Sequence, residues 1–338
     1  MSATESSCTC EIFDALPGIE VPVGEINSRL AALWETSAAD GKPALEADDA
    51  KATQVNFVLH FGLNATPADA AEQFQTVVRF AQRYPSRIVV LCPLRGDDAG
   101  IMEMRAKIYG ECFLGKSKSD KRCVEFVTLS YSTAARRFLE NQVSICLSSD
   151  LPLYYWAHRF SASVRLADYR YLLGRAKRVL FDSSVAPPDA FTYQWPNPKA
   201  LRDLVYSRLL PVRQSIGQFL ASYPPAALVD GLREVVVPHD TKAAAEGRVT
   251  LAWLRRRLAA CGAAEKILFR TERMPGDASG RLAVRFVYAD AARSFRWSGD
   301  LATHHALFEA NLGCGATRLP AAVSLLSPEN ALSEAMFF

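Results

Sequence analysis

The string Gly110-Glu-Cys-Phe-Leu-Gly115-Lys116-Ser117 matches the phosphate-binding loop pattern letter for letter. That chemistry needs backbone N–H groups after a strand, with the lysine and serine opening a helix whose N-terminus faces the phosphates. Here Ser-Lys-Ser-Asp-Lys comes next, and Cys123–Leu129 then reads as strand. A charged hairpin turn fits better than a phosphate cradle. The competing reading is a nucleotide-binding enzyme using Gly115, Lys116 and the strand-end acid Asp182. No G-x-G-x-x-G fingerprint and no G-x-S-x-G elbow occurs, and the five histidines form no i, i+4 ligand pair. Ser183 and Ser184 follow Asp182 at the end of an apolar run, where a turn-capping role is the simpler assignment. We therefore expect no catalytic residue, no bound cofactor and no metal.

Cysteine chemistry has one well-placed candidate. If residues 101–113 and 122–131 pair as a hairpin about Ser117–Lys118, paired residue numbers sum to 235 and Cys112 faces Cys123. Facing residues of an antiparallel pair lie about 4.5–5.5 Å apart at Cα, within disulfide reach. Cys92 and Cys146 sit in apolar runs and read as inert core thiols. Cys8-x-Cys10 lies in a polar terminus expected to be disordered. Eight cysteines in 338 residues, with no secretory or transit signal at the start, point to the reducing cytoplasm, where Cys112 and Cys123 should rest as thiols.

Elements must hold these residues. A helix is expected over 24–38, followed by a polar linker to about residue 51. Val55, Phe57, Leu59 and Phe61 then alternate with Asn56, Val58 and His60, the pattern of a strand. Thr66 and Pro67 mark an N-cap and first helical position. Ser86–Cys92 reads as a buried strand, 133–147 as a helix, Leu151–Ala157 as a strand, 162–175 as a helix and Lys177–Asp182 as a strand. Strand–helix alternation of this kind implies an α/β fold, a layered sheet with helices on its faces. Residues 186–198 hold four prolines and read as a linker whose Phe191, Tyr193 and Trp195 could present an aromatic patch. Beyond it we expect a smaller α+β domain: a long helix over 199–221 kinked at Pro211, strands 231–238, 265–271 and 281–289, and a helix over 242–261. The domains so read are an N-terminal segment 1–52, an α/β domain 53–190, an α+β domain 199–326 and a tail 327–338 ending in Phe337-Phe338.

Bulk properties narrow the function classes. A net charge of +3 is too small to imply nucleic-acid binding, and Arg255–Arg257 reads as the wet face of a helix. No apolar run approaches the roughly 20 residues needed to span a bilayer.

The run Tyr84-Pro85-Ser86-Arg87 into Ile88–Leu91, then Cys112, then Cys123-Val-Glu125-Phe126, resembles the glucose-6-phosphate dehydrogenase assembly proteins, the OpcA family. Asp150-Leu-Pro152 with Trp156, Arg178-Val-Leu-Phe-Asp182-Ser183, and Ser207-Arg208-Leu-Leu-Pro211-Val-Arg213 continue it in order over about residues 50–240. The chain departs from the family at Tyr155-Trp156-Ala157-His158, where a Trp-Trp pair, a basic residue and a glycine are usual. The resemblance implies a non-catalytic protein that binds glucose-6-phosphate dehydrogenase and supports its active oligomer in the oxidative pentose phosphate pathway. It also implies redox control through cysteines, with thioredoxin as a further partner.

Overall fold

The computed structural model describes residues 11–39, 53–94, 102–114, 121–276, 280–313 and 315–338. The chain is a mixed α/β protein divided into two units, one running to Arg202 and taking in Ala335–Phe338, the other Asp203–Glu334. Cys8, Cys10, the linker before residue 53 and the hairpin tip at Gly115–Ser117 lie outside the described residues.

The first unit holds helices α1 (Glu11–Ala15), α2 (Ile26–Ala39), α3 (Pro67–Ala81), α4 (Arg136–Cys146) and α5 (Arg170–Arg175). Its strands are β1 (Ile19–Val21), β2 (Val55–Phe61), β3 (Ser86–Pro93), β4 (Met104–Leu114), β5 (Lys121–Tyr131), β6 (Leu153–His158), β7 (Ala176–Phe181) and β8 (Leu201–Asp203). They form one sheet in the order β1-β4-β5-β3-β2-β6-β7-β8, and β5, β3, β2, β6 and β7 run parallel. Thr66 caps α3 as its spacing requires, its side chain accepting from the Asp69 N–H with Pro67 leading the helix. On the α3 side, Phe74 lies 4.4 Å from Phe126 and Phe80 lies 6.0 Å from Phe57, ring centre to ring centre. On the other side Ile26, Leu30, Leu139, Val143, Leu172 and Leu173 close over Val58, Val89, Val127 and Tyr155. Both faces of the central strands are therefore dry, as parallel sheets require. This is why every residue of β2 is buried, including His60, which alternation alone placed on a second face.

Three expectations need correction here. The helix expected over 162–175 is a tighter, three-residue-per-turn segment, Ser163–Tyr169, leading into the short α5. The span 186–198 is not a free linker, because Trp195 is 9% exposed and its indole N–H donates to the Ala190 carbonyl at 2.9 Å. Tyr193 packs edge-on against it at 5.0 Å, which leaves Phe191 as the exposed ring. Apolar area simply outweighs the proline count. Within this unit Phe337 also packs, 4.7 Å from Tyr84 and 5.8 Å from Tyr154, while Phe338 stays exposed.

The second unit contains α6 (Leu204–Arg208), α7 (Leu210–Ala221), α8 (Pro225–Val229), α9 (Ala244–Ala260) and most of α10 (Pro328–Phe337). Its six-stranded sheet, ordered β10-β9-β11-β12-β13-β14, comprises β9 (Leu232–His239), β10 (Leu268–Arg273), β11 (Arg281–Tyr288), β12 (Ser294–Asp300), β13 (His305–Asn311) and β14 (Ala316–Ala322). No single helix covers 199–221. Asp203 caps α6 through the Val205 N–H, and Pro211 sits in the first turn of a separate α7, where its missing N–H costs nothing. Strands β12–β14 lie beyond those expected from sequence. Their signal is nonetheless present, since Phe295, Trp297 and Gly299 are buried between more exposed neighbours. Phe219 of α7 stacks on Phe308 of β13 at 4.4 Å and ties helix layer to sheet. Arg255, Arg256 and Arg257 are exposed on α9.

Candidate functional site

The chain order reverses at β2. It leaves β2 through α3 to β3 on one side, and later returns through α4 to β6 on the other. In open α/β sheets the crevice beyond the strand C-termini at such a switch point is where ligands bind. Here that corner is built by His60, Gly62, Tyr131 and the 158–169 segment.

His60, fully buried, bridges two phenols: its Nδ1 lies 2.6 Å from the Tyr155 hydroxyl and its Nε2 lies 2.7 Å from the Tyr131 hydroxyl. Tyr131 in turn meets the Tyr169 hydroxyl at 2.7 Å. Burial pulls the imidazole down to about 3 and pushes Tyr131, Tyr155 and Tyr169 above the usual phenol range. All four groups are thus uncharged at neutral pH, and they run as one hydrogen-bonded file from the core towards the surface. At its outer end opens a cavity of about 90 Å³, lined by Tyr131, Tyr169, Arg136, Arg165, Asp168 and Ser161 among others.

Beside this file the β2–α3 turn meets the β6 end at very close range. The Gly62 N–H donates to the His158 carbonyl at 2.7 Å, and a Cβ on Gly62 would fall 2.4 Å from the Arg159 carbonyl oxygen. Only glycine fits. Arg159 itself has a φ of 52°, an uncommon backbone state for a side-chain-bearing residue. In a dinucleotide-binding protein the helix N-terminus after this turn holds a pyrophosphate. Here the protein's own Asp69 carboxylate occupies the first turn of α3, 2.8 Å from His158 Nε2 and 3.0 Å from Arg159 Nε. Burial works to raise Asp69, but the hydrogen bond and charge of His158, helped by Arg159, outweigh it and hold the carboxyl below its usual range. That helix end thus carries an ion pair internal to the chain, with the Asp69 charge balanced by Arg159.

The residues singled out in sequence are brought to separate places. Arg87 and Glu125 are neighbours across β3 and β5, 2.8 Å apart, and the Trp34 indole N–H donates to the same carboxylate at 2.8 Å. Ser86 donates to the Tyr84 carbonyl at 2.5 Å. Asp150 is exposed, and Pro152 offers its carbonyl to the Asn56 N–H at 3.0 Å. Trp156 is 2% exposed in the core. Asp182 accepts from the Ser184 N–H at 2.8 Å, closing its own turn, and Ser183 is buried. Arg208 donates to Glu246 at 2.8 Å, and the Arg213 guanidinium carbon stands 3.6 Å over the Tyr206 ring. These are ties between elements rather than one constellation.

The phosphate-loop alternative meets direct opposition. β4 pairs antiparallel with β5 down to Leu114 opposite Lys121, so the described residues on the far side of the loop form a strand from Lys121 onward. Gly110 serves packing, because a Cβ there would meet the Trp34 ring at 2.7 Å. Gly115 and Lys116 lie outside the described residues. The expected register is found: Cys112 faces Cys123 with Cα atoms 4.0 Å apart, and the structure joins them as a disulfide rather than the resting thiols expected. Sequence reasoning missed the His60 file. Tyr131 and Tyr155 lie 71 and 95 residues from His60, and only the parallel pairing collects them.

Fold and corner together define a two-unit α/β protein whose switch-point crevice is narrowed by its own side chains. No family model matches the chain. A stretch of 96 residues is 31% identical to the putative OxPP cycle protein OpcA of Nostoc punctiforme, covering 28% of this chain and 19% of that protein. The chain is also similar in structure to a 3-ketoreductase from Actinomadura kijaniata, at 10% identity and a TM-score of 0.40, over 83% of this chain and 88% of the other. An aldose-aldose oxidoreductase from Caulobacter crescentus gives 13% identity and a TM-score of 0.36, over 83% and 87%. At those scores neither carries an argument about what this chain does.

Among the described residues no helix is long and apolar enough to cross a membrane.

Proposed function

We propose that the chain is a non-catalytic assembly protein of the cytoplasm that binds glucose-6-phosphate dehydrogenase and favours its active oligomer. The observation that carries this reading is the 96-residue likeness to an OpcA protein, which agrees with the ordered resemblance of residues 50–240. Asp69 at the head of α3 adds physical support, because its pairing with His158 and Arg159 keeps that helix end engaged within the chain where a dehydrogenase of this layout would hold a dinucleotide. An activator must prefer the active state of its target, since equal affinity for both states shifts nothing. The surfaces proposed for that contact are narrowed to Phe191, 63% exposed, and Phe338, 82% exposed, since Tyr193, Trp195 and Phe337 are packed. The test is co-expression with the cognate dehydrogenase, followed by size-exclusion chromatography and rate measurement. A shared peak and a raised rate or affinity are expected. A dehydrogenase whose rate and oligomeric state ignore saturating amounts of this chain overturns the reading.

Redox control belongs to the same proposal, with thioredoxin as the reductant of the Cys112–Cys123 bridge. The loop it closes is short, so the chain-entropy model allows only about 2.5–3 kcal/mol of stabilisation. A gain of that size does not hold a bridge closed in a reducing compartment, so it should open and close with cellular poise. Thiol trapping over a series of redox potentials should protect Cys112 and Cys123 together, as one two-electron couple. Independent titration of the two thiols is the contrary result.

A further inference from the structure

The direction of the hydrogen bonds in the His60 file can be worked out from what its inner end lacks. Tyr155 is fully buried, and among the described residues its hydroxyl has one partner, His60 Nδ1. A buried hydroxyl hydrogen left without an acceptor costs about 1–3 kcal/mol, so Tyr155 must donate in the single bond it makes. His60 then accepts at Nδ1 and, being neutral, carries its one proton on Nε2, which donates to the Tyr131 oxygen. Tyr131 in turn donates to Tyr169. Three bonds consume three of four protons. The fourth, on Tyr169, has to point outward into the cavity that Tyr169 lines. Tyr169 is 6% exposed, so this donor is held in place by the file behind it.

The same cavity receives two guanidinium groups. Arg136 sits against the Tyr169 hydroxyl and is held by Asp168 at 2.6 Å, which cancels its charge but leaves further N–H donors. Arg165 has no ion-pair partner among the described residues and supplies the net positive charge. Ser161 adds a hydroxyl at the rim. The cavity thus presents O–H and N–H donors from several directions around one net positive charge. Its volume of about 90 Å³ is far below the about 300–1,000 Å³ that encloses a drug-sized ligand. It has room for one tetrahedral oxyanion head, with any organic remainder outside.

We propose that this cavity is a binding site for a phosphate group, carried by a small phosphomonoester or by free phosphate, in which Tyr169, Arg136 and Arg165 are the donors. It differs from the Asp69 corner in charge: there the carboxylate is matched by Arg159, whereas here Arg165 adds a positive charge beyond the Arg136–Asp168 pair. The proposal is independent of the assembly reading. It would stand if the chain bound no dehydrogenase.

The full chain is titrated calorimetrically with inorganic phosphate and with glycerol 3-phosphate, at constant ionic strength held by chloride. Saturable binding of at least one probe is expected. Tyr169→Phe keeps the ring but removes both the outward donor and the acceptor of the Tyr131 hydroxyl, whereas Arg165→Gln alters an exposed side chain and leaves the file intact; a thermal melt of each variant checks that it folds. Each is expected to weaken binding about tenfold. Arg175→Gln, outside the cavity, should bind as the parent does. Tighter binding of glycerol 3-phosphate names an esterified phosphate as the occupant, and equal affinities name the phosphate group alone. No saturable binding of either probe, or binding unchanged in both cavity variants, overturns the proposal.

Discussion

Replacing His60 by glutamine should flatten the loss of stability that the parent chain suffers as the pH falls below about 6.5. The imidazole titrates near 3 in the folded chain against an ordinary 6.5, because burial among Tyr131, Tyr155, Phe160 and Tyr169 offers no counter-charge. Between those values the unfolded chain binds a proton that the folded chain refuses, so stability rises with pH in this window. The contribution is complete above about 6.5 and is lost as the pH drops towards 3, at about 1.4 kcal/mol per pH unit. From pH 6.5 to 5 that amounts to about 2 kcal/mol. Asp69 and Glu20 are also held low and lose stability in the same direction, but both remain in the variant, so the difference between the two proteins isolates His60. Glutamine keeps one donor and one acceptor for the flanking phenols and does not titrate. Urea unfolding of both proteins at pH 7, 6 and 5 reads the effect. Parallel pH profiles would mean that the imidazole is charged as easily in the fold as out of it.

Glu125→Ala should be the most damaging single change among the residues that carry the family resemblance. The carboxylate side chain is 7% exposed and receives the Arg87 guanidinium at 2.8 and 3.2 Å and the Trp34 indole N–H at 2.8 Å. Alanine leaves a half-covered arginine charge and a buried N–H without this acceptor. Removing one partner of a buried pair costs about 3–5 kcal/mol, and the 22% exposure of Arg87 puts this case near 3. The effect reaches beyond the pair, because Trp34 is 5% exposed and anchors α2 on the sheet next to Gly110. Glu125→Gln keeps the acceptor for Trp34 and should lose clearly less. A double-mutant cycle with Trp34→Phe apportions the two contacts. A loss below about 1 kcal/mol for Glu125→Ala would show that the carboxylate is already served by water and that the network holds nothing together.

Local pattern determined a good part of this protein. The run Val55–Phe61, the Thr66-Pro67 helix start and the apolar run Ser86–Cys92 are found where their residue types place them, the last extended by one residue to Pro93, because capping and strand propensity act over a few neighbours. Hairpin symmetry placed Cys112 opposite Cys123, since once one pair of an antiparallel ladder is set the others follow by counting. Tertiary structure decided the rest. Trp195 and Phe337 are aromatic residues in segments that look free, and only the presence of Ala190, Tyr84 and Tyr154 beside them shows that they are packed. Pro211 could kink a helix or begin one, and the Asp203 cap upstream settled it in favour of two helices. His60 is the clearest case. In sequence it is one polar residue in an alternating strand, with nothing to say that both faces would be dry. Its phenolic partners lie 71 and 95 residues away, and they meet it only because β5, β3, β2 and β6 align in parallel. A parallel sheet joins distant segments through crossovers, so the chemistry at its strand ends is written in no single stretch of chain.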